Sequence, residues 1–484
     1  MSLSRELMLD RVQHRDPAYD QRFLFGVLTT GIYCRPSCGA RRPKPENVAF
    51  FENVAAARAA GLRPCKRCQP DAFHDGRDVD REVAEELYAR VQEDPAAFHG
   101  VADLVRTSGV GSSKLGAICR RYYHHSPAEI LAAARLDKAR REILESTQPI
   151  SNAAFDAGYE SLSVFNDHFR RRLGLTPRAY RGLLGATEFV VELPRWYPLE
   201  LLERYLGRDP QSLGERLQDN GEYTFATALR GSDHRPARVA LKLAEKQAQV
   251  SFATPQPQAL DATEIHRQVL ARLGLVFDPQ PFERQMFRRD GDGARLVKNR
   301  RGLVIPQAGD IPDGLLWVIV GQQVSLASAF SIRRRLLQSF GHDAGDGLMA
   351  PPPFADFANV GEQALAGAGL SRPKASYLAG LARAVASGDL DLENLAQASA
   401  PEVEKTLLAQ RGLGPWSAHY VMMRSLAFQD CVPVGDVALA KSLQTFLGLD
   451  ERPDNDATRR LMAPFAPYRS LATFHFWHRL GDAQ

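Results

Sequence analysis

The sequence predicts a multidomain, mainly α-helical protein. Three observations support this: the chain has 484 residues, four of its six cysteines stand in two close pairs, and helical spacing dominates most of the remainder. A chain of this length exceeds what one hydrophobic core usually supports, so several domains are expected. Breaks in the pattern place four domains at 1–74 (small α+β), 78–182 (all-α), 187–295 (small α/β) and 296–484 (all-α).

The first domain is defined by its cysteines. Cys34 pairs with Cys38 and Cys65 with Cys68, and 26 residues separate the two pairs. Four thiolates at this spacing suit one tetrahedral Zn²⁺ ion, whereas disulfides are not expected in a reducing compartment. We therefore predict a zinc-binding α+β domain. On spacing alone, a purely structural zinc ribbon is the alternative to a reactive site.

The second domain shows helical spacing throughout. Val83, Leu87 and Val91 recur every four residues, and Asp94-Pro95 marks the end of that helix. From there to Gly182 the chain consists of short helical stretches broken by Gly, Ser or Pro, without the alternation typical of strands. This predicts an all-α segment of about 100 residues.

The third and fourth domains differ in pattern. FVVEL, TFATALR, ARVALKLA and QVSFA are rich in β-branched and aromatic residues and predict strands in the third. In the fourth, Gly412 and Gly414 permit a tight turn ahead of a helix. Asp436 follows 22 residues after Gly414, and a lone Asp at a helix start is usually a cap.

Membrane insertion is not expected. The opening MSLSRELMLD lacks an apolar signal region, and the longest fully apolar run, Leu315–Val320, is too short to span a bilayer. The net charge of +4 says little about nucleic acid, but the stretch 170–181 holds five arginines and no acid. We expect a cytoplasmic protein.

The cysteine strings carry a resemblance to a known family. TTGIYCRPSCGARRP, ENVAFF and AAGLRPCKRCQPD resemble the amino-terminal domain of Ada-type methylphosphotriester acceptors, over about residues 16–71. The resemblance implies that Cys34 accepts a methyl group from DNA, stoichiometrically, while Cys38, Cys65 and Cys68 complete the zinc site. Methylation would remove one negative charge and so act as a binding switch. The candidates for phosphate contacts, with solvated surface charge as the alternative, are Arg35, Arg41, Arg42, Lys66 and Arg67.

The all-α segment resembles AraC-type regulators. The residues that carry the resemblance are Ala154, Gly158, Tyr159, Ser161, Ser163, Phe165, Phe169 and the string Leu173-Gly174-Leu175-Thr176-Pro177. The resemblance implies a helix-turn-helix in which Ser161, Ser163 and Arg170 contact DNA. An earlier unit, 104–121, departs from the pattern, which puts direct base reading by that unit in doubt. A helical bundle with a basic face is the alternative for both units.

The carboxyl-terminal half resembles AlkA-type 3-methyladenine DNA glycosylases of the helix-hairpin-helix superfamily. The strings are LLWVIVGQQVSLASAF, RPKASYLAGLARAV and LLAQRGLGPWSAHYVMMRSLAFQDCVPVGDVALAKSL, with Trp196-Tyr197-Pro198 marking the AlkA-type amino-terminal domain. The resemblance implies that Asp436 is the catalytic carboxylate and that Gly412 and Gly414 hold the DNA backbone. Trp416 stands where strand-cutting relatives carry a lysine, which implies base excision without lyase activity.

The same resemblance implies a base pocket. Trp416, Tyr420 and Trp477 match positions that line it, with core packing as the alternative for each. Gln323 matches the side chain that fills the gap left by a flipped base, and Gln322 and Gln323 interrupt an otherwise apolar helix. Because no cysteine follows Cys431, no iron–sulfur cluster is expected.

The combined prediction is a bifunctional adaptive-response protein that takes methyl groups from DNA phosphotriesters and excises alkylated bases such as 3-methyladenine. The alternative is a methylation-sensing transcription regulator whose glycosylase domain only binds DNA. The expected partners are alkylated and promoter double-stranded DNA, with RNA polymerase as a further candidate. A monomer is expected, because the chain carries its own two DNA-reading units. The carboxyl-terminal methyltransferase domain of Ada has no counterpart in these residues.

Overall fold

The computed structural model describes residues 3–219, 223–231, 233–254, 261–289 and 291–481. The chain forms two compact units, Met1–Ala89 and Arg90–Gln484. Among the described residues no helix is both long and apolar enough to cross a membrane. The multidomain, mainly α fold is confirmed, and the division into four domains stays a prediction.

The first unit is a small α+β fold. Its elements are α1 (Arg5–His14), β1 (Leu24–Val27), β2 (Ile32–Cys34), β3 (Val48–Phe51), α2 (Val54–Ala59), β4 (Arg63–Pro64), α3 (Pro70–His74) and the start of α4 (Val79–Glu93). The sheet order is β3-β1-β2-β4, antiparallel except for the parallel β2–β4 pair. Successive side chains of β1 point to opposite faces, so Leu24 packs with Tyr33 while Phe25 packs beside the cysteines.

The second unit begins with helices. They are α5 (Val101–Ser108), α6 (Ser112–Tyr123), α7 (Pro127–Glu145), α8 (Ile150–Asp156), α9 (Leu162–Leu173) and α10 (Pro177–Arg181). Pairs α5–α6 and α8–α9 form the two predicted helix-turn-helix units. The second turns at Gly158, whose φ is +92°, and a Cβ there would lie 2.8 Å from the Cα of Ala96. Glycine is therefore required by both conformation and space.

A five-stranded antiparallel sheet follows. Its elements are β5 (Glu188–Glu192), α11 (Leu199–Leu206), β6 (Glu215–Asp219), β7 (Tyr223–Arg230), β8 (Pro236–Ala244) and β9 (Gln247–Ala253), in the order β5-β9-β8-β7-β6. Four of these strands coincide with the predicted ones. The fifth, β6, was not predicted, because its sequence ERLQD contains no β-branched or aromatic residue. It is an edge strand of the sheet, where its neighbour is β7.

The rest of the second unit is helical apart from one hairpin. Its elements are α12 (Ala262–Arg272), α13 (Gln280–Phe287), α14 (Asp292–Val297), α15 (Ile311–Gly321), α16 (Leu326–Phe340), β10 (His342–Gly345), β11 (Leu348–Ala350), α17 (Glu362–Gly367), α18 (Arg372–Ser387), α19 (Leu392–Gln397), α20 (Ala400–Leu408), α21 (Pro415–Arg424), α22 (Val437–Leu447), α23 (Asn455–Met462) and α24 (Arg469–Gly481). The β10–β11 hairpin was not anticipated. Gln322 and Gln323 do not interrupt one helix, because α15 ends at Gly321 and Ser325 caps the separate helix α16.

A buried ion cluster joins three helices of this unit. The Asp313 carboxylate lies 2.8 Å from an Arg333 nitrogen and 3.4 Å from an Arg272 nitrogen. Burial alone would raise the pKa of Asp313, but the two guanidinium groups hold it below its usual value. The carboxylate therefore neutralises charges that could not otherwise stay in the interior.

Replacing Asp313 with Asn should lower the free energy of unfolding by about 3 kcal/mol, because the buried Arg333 guanidinium loses its paired carboxylate and Arg272 keeps only its pair with Glu215. Urea unfolding measures the change. The control is Asp456→Asn, which removes an exposed ion pair with Arg459 and should leave the midpoint unchanged. The Asp313 contribution is complete at neutral pH and should be lost as the pH falls below about 4, through the lowered folded-state pKa. Equal midpoints for both variants would contradict this account.

Candidate functional site

The four cysteines of the first unit meet at one point. Cys34 ends β2 and Cys65 follows β4, and the parallel register that places Tyr33 opposite Pro64 brings these two cysteines together. All four Sγ atoms lie within 4.8 Å of one another, and Cys38 Sγ is 4.0 Å from Cys65 Sγ. Zinc–sulfur bonds of about 2.3 Å give a tetrahedron with edges of about 3.8 Å. The cluster therefore fits Zn²⁺, and the zinc cofactor prediction is confirmed.

A buried aspartate organises the loop between Cys34 and Cys38. Asp20, which is 4% exposed, accepts hydrogen bonds from the Arg35 guanidinium at 3.0 Å and from the Ser37 backbone N–H at 2.9 Å. Sequence reasoning missed Asp20, because nothing in the chain pattern marks an acid 14 residues before the cysteine as its neighbour in space. Its position fixes the loop that carries two of the four sulfur atoms.

The basic residues near the cysteines fall into two groups. Arg35, Arg42 and Arg67 donate to the backbone carbonyls of Cys68, Cys38 and Gly39, respectively. Their guanidinium groups are therefore engaged by the cysteine loops. Arg41 and Lys66 are exposed, as is Arg67, and the phosphate contacts of these residues stay a prediction.

In the second unit, Asp436 lies where three helices converge. It is the N-cap of α22, and its Oδ1 accepts from the Leu439 backbone N–H at 2.7 Å. Oδ1 also accepts from the Trp477 indole at 3.0 Å, and Oδ2 accepts from the Trp416 indole at 2.9 Å. Asp436 is thus a cap, as its position suggests, but two tryptophan side chains from α21 and α24 also point their N–H groups at it.

Tyr420 lies between the two tryptophans. Its ring centroid is 5.5 Å from that of Trp416 and 5.9 Å from that of Trp477, with tilted planes in both cases. The three predicted pocket aromatics therefore form one row beside Asp436. Burial raises the pKa of Tyr420 to about 12, so its hydroxyl stays protonated at neutral pH. The buried Arg424, which sequence reasoning also missed, donates to that hydroxyl at 3.4 Å.

The predicted hairpin turn joins α20 to α21. Gly412 has φ +93°, and a Cβ there would lie 2.3 Å from the Tyr377 ring. Gly414 is the N-cap of α21, and the space around its Cα is open. Gln322 donates to the Gly412 carbonyl at 2.7 Å and so ties the α15–α16 connection to the hairpin. Only the position of Gly414 itself is open, since a Cβ there would meet no heavy atom within 4 Å.

Gln323 differs from its neighbour. It is exposed, has φ +54°, and stands at the tip of the connection between α15 and α16. Val324 and Leu326 beside it are 39% and 49% exposed. A non-glycine residue in this backbone region is uncommon and is often found at functional sites.

The predicted DNA contacts of the second helix-turn-helix lie at the two ends of α9. Ser161 caps the helix by accepting from the Val164 N–H, and Ser163 is exposed in its first turn. Arg170, in the last turn, is paired with Glu192 at 2.6 Å, so its charge is partly compensated. Leu162 is also exposed in the first turn, and sequence reasoning had not named it.

Comparisons with known proteins agree with this geometry. Residues 8–71 match the metal binding domain of Ada, residues 104–182 match a helix-turn-helix domain, and residues 316–467 match the HhH-GPD superfamily of base excision DNA repair proteins. The chain is 29% identical to the probable bifunctional transcriptional activator/DNA repair enzyme AlkA of Mycobacterium tuberculosis, across 97% of this chain and 95% of that protein.

Two further comparisons concern the second unit. The chain is 30% identical to DNA-3-methyladenine glycosylase 2 of Escherichia coli, across 44% of this chain and 72% of that protein. The 3-methyladenine DNA glycosylase from Archaeoglobus fulgidus has a similar fold, with a TM-score of 0.52, 19% identity, and coverage of 60% of this chain and 97% of that one.

The cysteine cluster predicts one Zn²⁺ per chain. Cys65→Ser removes one of four thiolate ligands and should weaken zinc binding by at least about tenfold. Competition with a colorimetric chelator measures the affinity. Cys119→Ser is the control, because Cys119 is a buried cysteine of the second unit outside the cluster. Equal zinc affinity in the Cys65 variant and the wild type would contradict the assignment.

Proposed function

Because this chain belongs to the DNA-3-methyladenine glycosylases of the HhH-GPD superfamily and carries the metal binding domain of Ada and a helix-turn-helix domain ahead of it, we propose that it repairs alkylated DNA at two sites. The second unit hydrolyses the N-glycosidic bond of alkylated bases such as 3-methyladenine. The first unit removes methyl groups from phosphotriesters. The observation that carries the proposal is the Asp436 carboxylate, held by two indole N–H groups beside a row of aromatic rings.

Asp436 is the catalytic carboxylate in this proposal. As the C1′–N bond breaks, its electron pair leaves with the alkylated base and positive charge develops on the sugar. The carboxylate stabilises that charge and orients a water molecule, whose oxygen bonds to C1′ while its proton passes to Asp436. The indole and backbone donors hold the carboxylate in one orientation, which is the preorganisation that such catalysis needs.

The aromatic row binds the extruded base. Extrusion from the stack costs a few kcal/mol, and stacking on Trp416, Tyr420 and Trp477 offsets that cost. An alkylated purine is cationic, so each indole face adds a cation–π attraction of roughly 0.5–2 kcal/mol. Trp416 occupies the position of the lysine in strand-cutting relatives, so we propose base removal without strand cleavage. Gln323 fills the gap that the base leaves in the duplex.

Phosphate contacts hold the DNA for this reaction. Gly412 and Gly414 let the backbone at the start of α21 approach a phosphate, where free N–H groups and the helix dipole favour negative charge. Ser161 and Ser163 provide contacts from α9, together with Arg170 at the other end of that helix. These contacts are independent of the damaged base and position the duplex.

Cys34 is the methyl acceptor in the first unit, supported by the match to the metal binding domain of Ada. Cys34, Cys38, Cys65 and Cys68 would hold a zinc ion, which would keep their sulfur atoms as thiolates at neutral pH. Cys34 Sγ attacks the methyl carbon, and the O–CH₃ bond breaks with its electron pair left on the phosphodiester oxygen. The site loses one negative charge, so its repulsion from the DNA backbone falls.

That change in charge supports a role in transcription. We propose that the methylated protein binds promoter DNA more tightly through its helix-turn-helix units and contacts RNA polymerase there. We also propose that the protein acts as a monomer in the cytoplasm, because one chain carries two helix-turn-helix units and none of its six cysteines forms a disulfide in the described residues.

Asp436→Asn should slow excision of 3-methyladenine from duplex DNA by about 100-fold or more in single-turnover assays, because the amide cannot stabilise positive charge on the sugar. Abasic sites are scored by alkaline strand cleavage. The matched control is Asp454→Asn, since Asp454 also caps a helix but lies on α23. An unchanged rate in Asp436→Asn would remove the assignment, and an inert wild type would favour a regulator that only binds DNA.

Exposure to methylated duplex should add one methyl group to the peptide that holds Cys34, because a thiolate forms a stable thioether. Tandem mass spectrometry locates the group. Cys119 serves as an internal control and should stay unmodified, since burial raises its pKa to about 11 and leaves it a neutral thiol. A methyl group found on Cys38 would overturn the choice of acceptor.

A further inference from the structure

The two helix-turn-helix units contact the rest of the second unit through the carboxyl-terminal ends of α6 and α9: the end of α6 meets the HhH-GPD part, and the end of α9 meets β5 and α12. The residue after α6 is His124, with φ +58°, and the residue after α9 is Gly174, with φ +63°. Both helices thus end in a residue with the left-handed backbone conformation, and the two helix ends pack against different elements. The first turns of both helices, which would enter the major groove, keep exposed residues such as Ser112 and Ser163.

The first contact involves the loop that leads to Asp436. His124 Nδ1 accepts a hydrogen bond from the Asp430 backbone N–H at 3.0 Å, and its ring meets the Phe428 ring edge-on at 5.1 Å. The Gln429 side-chain amide donates to His125 Nδ1 at 3.1 Å. Burial lowers the pKa of His124 to about 4, so the ring stays neutral and its Nδ1 lone pair remains available.

The same loop is fixed from its other side. The Ser470 hydroxyl donates to the Phe428 carbonyl at 2.7 Å and accepts from the Cys431 N–H at 3.0 Å. Arg469 pairs with the Asp430 carboxylate through two nitrogens, at 2.6 and 2.8 Å. Residues 428–431 are therefore bound on one side by α24 and on the other by His124 and His125, which follow α6. Asp436 lies five residues after Cys431, at the end of this loop and the start of α22.

The second contact fixes the orientation of the helix-turn-helix domain. The Gly174 carbonyl accepts from the Glu192 N–H at 2.8 Å, and a Cβ on Gly174 would lie 2.5 Å from Val191. His266 of α12 donates from Nε2 to the Leu173 carbonyl at 2.8 Å. The helix-turn-helix domain is therefore held at two places on separate elements of the unit, one at His124 and one at Gly174.

We infer that the first helix-turn-helix unit is a positioning element of the proposed glycosylase site, in which His124 and His125 hold the loop that presents Asp436 to its indole donors. This rests on the proposed function of Asp436. It gives a role to the unit whose sequence departs from the base-reading pattern. The loop must hold Asp436 accurately, because a displacement of about 1 Å at a reacting centre can cost up to about 100-fold in rate.

The test compares two substitutions that both tolerate the left-handed backbone. His124→Gly removes the ring without backbone strain, and His124→Asn keeps an acceptor oxygen. We expect His124→Gly to lower the single-turnover excision rate at saturating protein by about tenfold, and His124→Asn to stay within about threefold of wild type. Binding of undamaged duplex should change less than about twofold in both, because the phosphate contacts lie elsewhere.

A second variant approaches the contact from the loop. Gln429→Met keeps the side-chain volume but removes the amide that bonds His125, and we expect a loss of about threefold in the same rate. Circular dichroism checks that each variant folds. If His124→Gly does not fold, Gln429→Met decides, and a wild-type rate there overturns the inference.

Other outcomes separate this inference from the proposed function. A wild-type rate in His124→Gly, or equal losses in His124→Gly and His124→Asn, overturns the positioning role while active wild-type protein retains the glycosylase. Wild-type protein that excises no alkylated base removes both. A selective loss of rate that His124→Asn restores supports the inference, because general loosening of the interface would not distinguish the two variants.

Discussion

The Asp436 carboxylate is the interaction on which the carboxyl-terminal half of this protein depends. Its two oxygens receive hydrogen bonds from the starts of α21 and α22 and from α24, so one side chain joins three helices. Trp416, Tyr420 and Trp477 can form a row because the two outer rings are held at this common acceptor. The N-cap of α22 is therefore also the common hydrogen-bond acceptor that positions this row of aromatic rings.

The sequence predicted well those features whose chemistry is local. The close spacing of each cysteine pair, and glycine at the hairpin turn, are set by short stretches of chain, and the structure shows both as expected. Partners distant in the chain could not be predicted in this way. Asp20 is separated from the cysteines by a strand and a turn, and only the folded register brings it to Arg35 and Ser37.

Polar residues within apolar stretches were visible in the sequence, but their positions in the fold were not predicted. Gln322 and Gln323 were noticed together as an interruption, yet they have different positions: one binds the hairpin and the other is exposed at a tip. Arg424 stands among apolar residues in YVMMRSL, and its guanidinium group lies against Tyr205 and Tyr420. For Gln322 and Arg424 the residue type pointed to a buried partner, but the identity of that partner depended on tertiary packing.

The helix-turn-helix domain belongs to the same compact unit as the HhH-GPD helices, whereas the zinc domain forms its own. This division is compatible with two ways in which one domain can affect another: through the DNA that both bind, or through direct contact within one unit. A charge switch at the cysteines needs no direct contact between units, because each acts through the same polyanion. Placement of Asp436, the proposed catalytic carboxylate, does need contact, because it depends on ångström-scale geometry. The docking of His124 on the loop before Asp436 provides such contact, so fusion of the two folds in one chain has a structural consequence beyond raising local concentration.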